Sequence, residues 1–270
     1  MARAARRAAP DIARLARLLD DAARTGIPIP QLAATETLNL DDAYKLQAAV
    51  VERRLDRGDE RSGAKMGLTS RAKAAQMGVA EPIYARLTRG MLIDDGGALA
   101  LAAYVRPKVE CEIAFLLKAP LAGRVSPAQA MTAVEAIAPA IEVIDSRYRD
   151  FKFSLTDVVA DNASAAGYAI GPWHRPDCDV GNLGMVLEFD GRPVQIGSSA
   201  AILGHPLRSL AMAARLAAAT GDRLEPGFVI LAGSATAAES LRPGVSVRLA
   251  VEQLGCVGFR VAGQAAQQQQ

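Results

Sequence analysis

The chain is poor in the side chains on which much familiar enzyme chemistry depends. It has 2 histidines and 3 cysteines in 270 residues. His174 and His205 are far apart and neither lies in an HExxH pattern, which argues against a zinc site. Cys111, Cys178 and Cys256 form no CxxC pair and are odd in number. They make poor material for a disulfide framework and point to a reducing cytoplasm. An excess of one charge is also missing: 31 Lys plus Arg face 29 Asp plus Glu, a formal balance of +2, so nothing calls for a nucleic-acid partner. No apolar run is long enough to span a bilayer, so no membrane segment is expected. The basic cluster Arg3, Arg6 and Arg7 is followed by Asp11 and no apolar stretch, which suits the start of a helix better than a targeting signal. P-loop, dinucleotide-binding GxGxxG and GxSxG nucleophile motifs are absent.

What is present is acidic chemistry set into apolar sequence. In the octapeptide Lys108 to Phe115, Glu110 and Glu112 alternate with Val109, Cys111 and Ile113. A β-strand puts residues two apart on one face, so the two carboxylates share a side and the apolar set faces a core. Cys111 falls on the apolar side and reads as a small core residue. Like charges one strand repeat apart repel. Two readings are open on these residues alone: a solvated acidic face, or a site for a divalent cation held by oxygen ligands. Glu142 lies inside a second apolar stretch, Ala140 to Asp145, where an isolated ionised carboxylate needs a partner, a metal or a raised pKa. It is the candidate third ligand, and three carboxylates suit Mg2+ or Mn2+. Lys65, between Gly63 and Gly67, is either a surface residue or an ammonium presented to a substrate carboxylate.

Around these residues the periodicity predicts helices from Asp11 to Gly26, Asp41 to Arg57, Ser126 to Ile137 and Pro206 to Ala219, and a short one ending near Gly78. Strands are expected over Leu99 to Val105, Val109 to Leu117, Ala140 to Asp145, Gly184 to Phe189 and Pro193 to Ile196, and within Gly227 to Val261. Asp190-Gly191 marks a hairpin turn. Residues 146–164 read as a polar loop suited to lining a pocket, and 264–270 as a low-complexity tail.

Four long stretches carry a resemblance: KMGLTSRAKAAQMGVAEPIY (Lys65 to Tyr84), RPKVECEIAF (Arg106 to Phe115), IEVIDSRYRDFKFSLTDVVADNAS (Ile141 to Ser164) and GHPLRSLAM (Gly204 to Met212). With the C-terminal stretch from Leu241 to Val257, they resemble the hydratase/decarboxylase family of aromatic meta-cleavage pathways, part of the fumarylacetoacetate hydrolase superfamily. The resemblance implies an α+β, β-rich mixed fold of the fumarylacetoacetate hydrolase C-terminal type with an N-terminal helical layer. It divides the chain into an N-terminal helical region (1–90), a metal-binding catalytic domain (91–263) and the tail (264–270). It implies Mg2+ or Mn2+ bound by Glu110, Glu112 and Glu142, with Lys65 as catalytic and substrate-binding residue and Ser164 at the substrate. SRYRDFKFSL and GHPLRSLAM are more like the family members that decarboxylate 2-oxo-3-hexenedioate to 2-hydroxypenta-2,4-dienoate than those that hydrate 2-oxopent-4-enoate. GSAT at 233–236 is nearer the hydratase pattern, and Gly167 stands where the decarboxylases would carry arginine. The hydratase is therefore the alternative activity. A lyase acting on a small 2-oxo acid in the cytoplasm, as a homo-oligomer and in complex with the pathway hydratase, is the expectation.

Overall fold

Strand β5 (Lys108–Leu117) fixes the architecture, because both of its faces are covered. Its odd positions, Val109, Cys111, Ile113 and Phe115, are fully buried in one apolar cluster, as the alternation requires. Its even positions, Glu110, Glu112 and Ala114, turn the other way and are buried as well. The computed structural model describes residues 9–70 and 81–263.

β5 lies in an eight-stranded sheet with β1 (Arg61–Gly67), β2 (Ile83–Thr88), β3 (Leu92–Ile93), β6 (Val134–Ile144), β7 (Ala165–Ile170), β10 (Val229–Leu231) and β11 (Glu239–Ser240). The order is β2-β1-β10-β5-β6-β7-β3, with β11 pairing to β5. β1 and β2, within the segment assigned on sequence to the N-terminal region, are thus part of this sheet. A second sheet, β4-β13-β12-β8-β9, is built from β4 (Ala98–Leu99), β8 (Gly184–Phe189), β9 (Arg192–Ser198), β12 (Ser246–Val251) and β13 (Gly255–Val261). Asp190 and Gly191 join β8 to β9 with φ of 52° and 74°, the left-handed pair that a two-residue hairpin turn demands. Val247, Leu249 and Val251 of β12 and Val257, Phe259 and Val261 of β13 pack into the same core as the odd face of β5.

The opposite face of the large sheet is covered by helices. α1 (Ile12–Thr25) is capped by Asp11, whose carboxylate accepts from the Arg14 N–H, and ends at Gly26 with φ 65°. α2 (Leu40–Leu55) begins with a reciprocal Asn39/Asp42 capping box. Buried Asp20 of α1 pairs with both Arg53 of α2 and Arg57 just beyond it, which locks the two helices together. Leu15, Leu19, Leu46 and Val50 pack with Ala114, Ala138 and Ala140, whose small side chains let this layer approach the sheet.

Three expectations are corrected. The helix expected over Ser126 to Ile137 is only α3 (Pro127–Thr132), and from Val134 the chain is already strand. Ser126 and Gln129 do form a capping box, but β6 pairs with β5 along nearly its whole length, and that ladder overrides the local helical pattern. The strand expected over Leu99 to Val105 stops at Leu99 and gives way to a 3-10 turn, because the Val105 and Arg106 N–H groups bond the Asp145 carboxylate instead of a neighbouring strand. The loop 146–164 contains α4 (Leu155–Ala160), started by a Ser154/Asp157 capping box. The fourth expected helix is found as α5 (Pro206–Ala219), with His205 Nδ1 accepting from the Leu207 N–H as its cap. The helix expected to end near Gly78 and the tail 264–270 lie outside the described residues.

After α4 the chain makes a 3-10 turn in which Asn162, Ala163 and Ser164 all have left-handed φ, at 50°, 46° and 59°. Such backbone is costly for residues with a Cβ and persists only when its surroundings hold it. The Asn162 side chain clamps both the N–H and C=O of Arg86, and buried Arg147 donates to the Asp161 carboxylate and to the carbonyls of Asp145 and Ala165. Burial pushes the Asp161 carboxyl up to about 6 despite Arg147 beside it. Removing the guanidinium in Arg147→Met leaves that carboxylate buried without its cation and is expected to cost about 3–5 kcal/mol in urea unfolding near neutral pH. Without Arg147 the Asp161 carboxyl rises further and takes up a proton, so the loss shrinks as pH falls toward 6 and levels off below it, where the carboxyl is neutral in both proteins.

Candidate metal centre

The β5–β6 register places Glu110 directly opposite Glu142, with Glu112 opposite Ala140. All three side chains emerge on the helix-covered face of the sheet, and one oxygen from each lies within 4.8 Å of the others. Glu112 and Glu142 have no solvent exposure, and Glu110 is 9% exposed. The site is a buried cluster of acid, not a wet strand face.

Among the described residues, two groups offset the charge of Glu112 and Glu142. Lys65, carried on β1 and almost fully buried, places Nζ 2.9 Å from Glu142 Oε1. The Gly233 N–H donates to Glu112 Oε2. Gly233 has φ 110°, and a Cβ there would come 2.2 Å from Thr69 Oγ1, so glycine is required for this approach. For Glu112 and Glu142 these are one ammonium and one amide against two carboxylates with no solvent exposure. Burial, followed by the charges of Glu142 and Glu110, raises the Glu112 carboxyl well above its ordinary value. Burial likewise pushes Glu142 up to about 7, against the pull of Lys65. Among the described residues, Glu112 Oε1 and both Glu142 oxygens find no conventional hydrogen bond, the Lys65–Glu142 contact being an ion pair. Buried oxygens with spare lone pairs in an all-carboxylate donor set fit a hard divalent cation such as Mg2+ or Mn2+.

Glu110 of the cluster opens onto a cavity of about 540 Å³. Lys65, Glu110 and Ser164 line it, so the structure brings together the residues singled out on sequence. The Ser164 hydroxyl is buried there without a hydrogen-bond partner among the described residues. The walls are largely apolar: Leu68, Ile83, Ile144, Phe151, Phe153 and Val158. The two phenylalanines stand with ring centroids 5.5 Å apart. Sequence reasoning assigned them no role, because nothing in the local pattern of residues 149–153 announces which way a loop side chain points. Neither histidine takes part: His174 Nε2 bonds the Leu254 carbonyl, and His205 caps α5. Gly167 is also elsewhere, in β7 opposite Val143, and a Cβ there would already meet Ile93 and Val143 at 3.2 and 3.4 Å. A side chain at that position would need Ile93 to give way.

Relatives share this framework. The family described as fumarylacetoacetate (FAA) hydrolase C-terminal matches residues 60–262. A 4-oxalocrotonate decarboxylase from a Pseudomonas species is 54% identical over 253 residues, spanning 94% of this chain and 99% of its own. A 2-keto-4-pentenoate hydratase of Paraburkholderia xenovorans is 36% identical, over 85% and 87% of the two chains. The solved structure of 4-oxalocrotonate decarboxylase from Pseudomonas putida, complexed with magnesium and adipate, superposes with a TM-score of 0.91 at 37% identity, covering 95% of this chain and all of the other. The match covers both sheets and the strands bearing all three glutamates: the chain belongs to the fumarylacetoacetate hydrolase family.

Proposed function

We propose that the protein is a Mg2+- or Mn2+-dependent decarboxylase that converts 2-oxo-3-hexenedioate (4-oxalocrotonate) to 2-hydroxypenta-2,4-dienoate. The observation that carries this reading is the buried Glu110, Glu112 and Glu142 cluster, with Lys65 at its edge, opening through Glu110 onto an apolar cavity. The 54% identity to a decarboxylase against 36% to a hydratase favours loss of CO2 over addition of water.

The substrate ketone is conjugated through C3–C4 to the carbon that bears the distal carboxylate. Breaking the bond to that carboxylate moves its electron pair through the double bond onto the 2-oxo oxygen. A bound dication supplies Lewis acidity at that oxygen, where charge develops. Glu110, Glu112 and Glu142 are the residues that would hold the ion. Lys65, oriented by Glu142, presents an N–H to the 2-oxo acid end and keeps a proton beside the oxygen that becomes negative. Ser164 offers its hydroxyl, unpartnered among the described residues, to the same end. The apolar walls exclude water, which strengthens these contacts and disfavours hydration of the product.

Among the described residues no helix is long and apolar enough to cross a membrane. We place the enzyme in the cytoplasm, in meta-cleavage breakdown of aromatic compounds. Its product is a reactive dienol, which favours a homo-oligomer working beside the hydratase that consumes it.

With Mg2+ and 2-oxo-3-hexenedioate, purified protein is expected to release CO2 and form the dienoate. Addition of water to 2-hydroxypenta-2,4-dienoate without CO2 release from the diacid would reverse the assignment. Lys65→Met is expected to lower kcat by about 100-fold or more, as loss of a buried charge-stabilising donor does.

Glu112→Gln keeps an oxygen for the Gly233 N–H but removes one of the repelling charges. Its metal-free melting temperature should equal or exceed that of the wild type, while the rise in melting temperature on adding Mn2+ is lost. The pH dependence has a definite sign. In metal-free protein the raised carboxyls keep protons that the unfolded chain gives up above its ordinary value of 4.5, so stability falls as pH rises from there to about 7. Mn2+ binds the deprotonated form, so its affinity should weaken as pH drops through 7, with protons released on binding, as calorimetry in buffers of different ionisation enthalpy would read.

A further inference from the structure

Lys108 occupies the same face of β5 as Glu110 and Glu112, one strand repeat before Glu110. It lines the cavity together with Lys65, and these are the two basic side chains among the described lining residues. Lys65 is committed to Glu142. Lys108 is not committed: among the described residues no carboxylate pairs with it, and its Nζ instead lies over the Phe151 ring, 4.5 Å from the centroid. Phe151 and Asp150 before it both have left-handed φ, 55° and 60°, so the aromatic platform is held in a conformation that its own backbone disfavours. Lys108 has two cross-strand neighbours: Ile144, which also lines the cavity and is apolar, and Ser240, which carries no charge to pair with the ammonium.

We infer that Lys108 is the specificity-determining residue that receives the distal carboxylate of a dicarboxylic 2-oxo acid, an inference that rests on the diacid reaction proposed above. The spacing fits. Two residues along a strand advance about 7 Å, and the terminal carbons of an extended six-carbon diacid stand roughly 6 Å apart, from about 1.5 Å per bond in zigzag. A substrate whose 2-oxo acid end sits at Glu110 therefore reaches the Lys108 ammonium with its other end. The cation–π contact keeps that ammonium in the apolar part of the cavity before substrate arrives. Gly167, packed against Ile93 and Val143, is not among the described residues that line the cavity.

This contact has a distinct kinetic signature. The distal carboxylate loses its charge as CO2 departs, so its pairing with Lys108 is strongest in the bound substrate and weakens toward the transition state. It contributes to binding and selection, not to acceleration. Lys108→Met, which keeps the aliphatic stem, should raise KM for 2-oxo-3-hexenedioate by about tenfold or more while kcat stays within a few-fold of the wild type. Lys108→Arg should retain most of the wild-type KM.

The test compares two inert ligands, 2-oxohexanedioate and 2-oxohexanoate, titrated calorimetrically into Mn2+-loaded protein. They share the 2-oxo acid end and differ only in the distal carboxylate. Wild type should prefer the diacid by about tenfold or more, Lys108→Met should bind the two nearly equally with Mn2+ affinity unchanged, and Lys108→Arg should restore the preference. A wild type without preference, or a Lys108→Met protein that keeps it, overturns the inference. Because these titrations need no turnover, a protein that shows the Lys108-dependent preference yet releases no CO2 contradicts the proposed reaction and leaves Lys108 in place as the diacid contact.

Discussion

Repulsion among three carboxylates buried at the centre of a β-ladder is the constraint around which this molecule is arranged. Glu110 and Glu142 face each other across the β5–β6 pair, and Glu112 follows one repeat along. Desolvation and mutual repulsion both oppose ionisation there, which is why Glu112 and Glu142 are pushed upward. A sheet position of this kind is ordinarily apolar. Its retention of acid means that something other than stability of the empty fold sets the identity of these residues.

The surrounding structure is consistent with that reading. β1 contributes Lys65, and the approach to β11 contributes the Gly233 N–H at a backbone angle that only glycine adopts easily. The left-handed turn at 162–164, held by Arg147, Asp161 and Asn162, delivers the Ser164 hydroxyl to the cavity. On the face that carries the acid, the helices α1 and α2 pack with the alanines that follow along β5 and precede Glu142 on β6. The opposite face of the same strands is an uninterrupted apolar core shared with the second sheet and α5. Strong packing on one side thus supports strained and charged geometry on the other.

Much of this was legible in the sequence because strand alternation is strict. The parity of Glu110, Glu112 and the apolar set predicts the two faces of β5, and the apolar run around Glu142 predicts a partner strand. Helices with explicit caps, at Asp11, Asn39 and His205, fall where their sequences place them. Ser126 illustrates the limit: a genuine capping box begins a helix that a long strand pairing then cuts short. The Ser154-x-x-Asp157 box was readable by the same rule but lay inside a stretch whose polarity suggested loop. The Lys108 ammonium shares the parity of the two glutamates, yet only the structure shows that this end of the face opens into the cavity and that Phe151 lies beneath the charge. The roles of Lys65 and Ser164 rested on resemblance, since spacing alone cannot bring β1 and the 162–164 turn to β5.

The central claim is that the carboxylate cluster is a metal centre. Anomalous scattering from crystals grown with Mn2+ tests it most directly. One strong peak about 2.2 Å from oxygens of Glu110, Glu112 and Glu142, with Lys65 and Ser164 beside the remaining coordination positions, is the expected result. A fully loaded crystal with its peak elsewhere, or none at the cluster, would contradict the account.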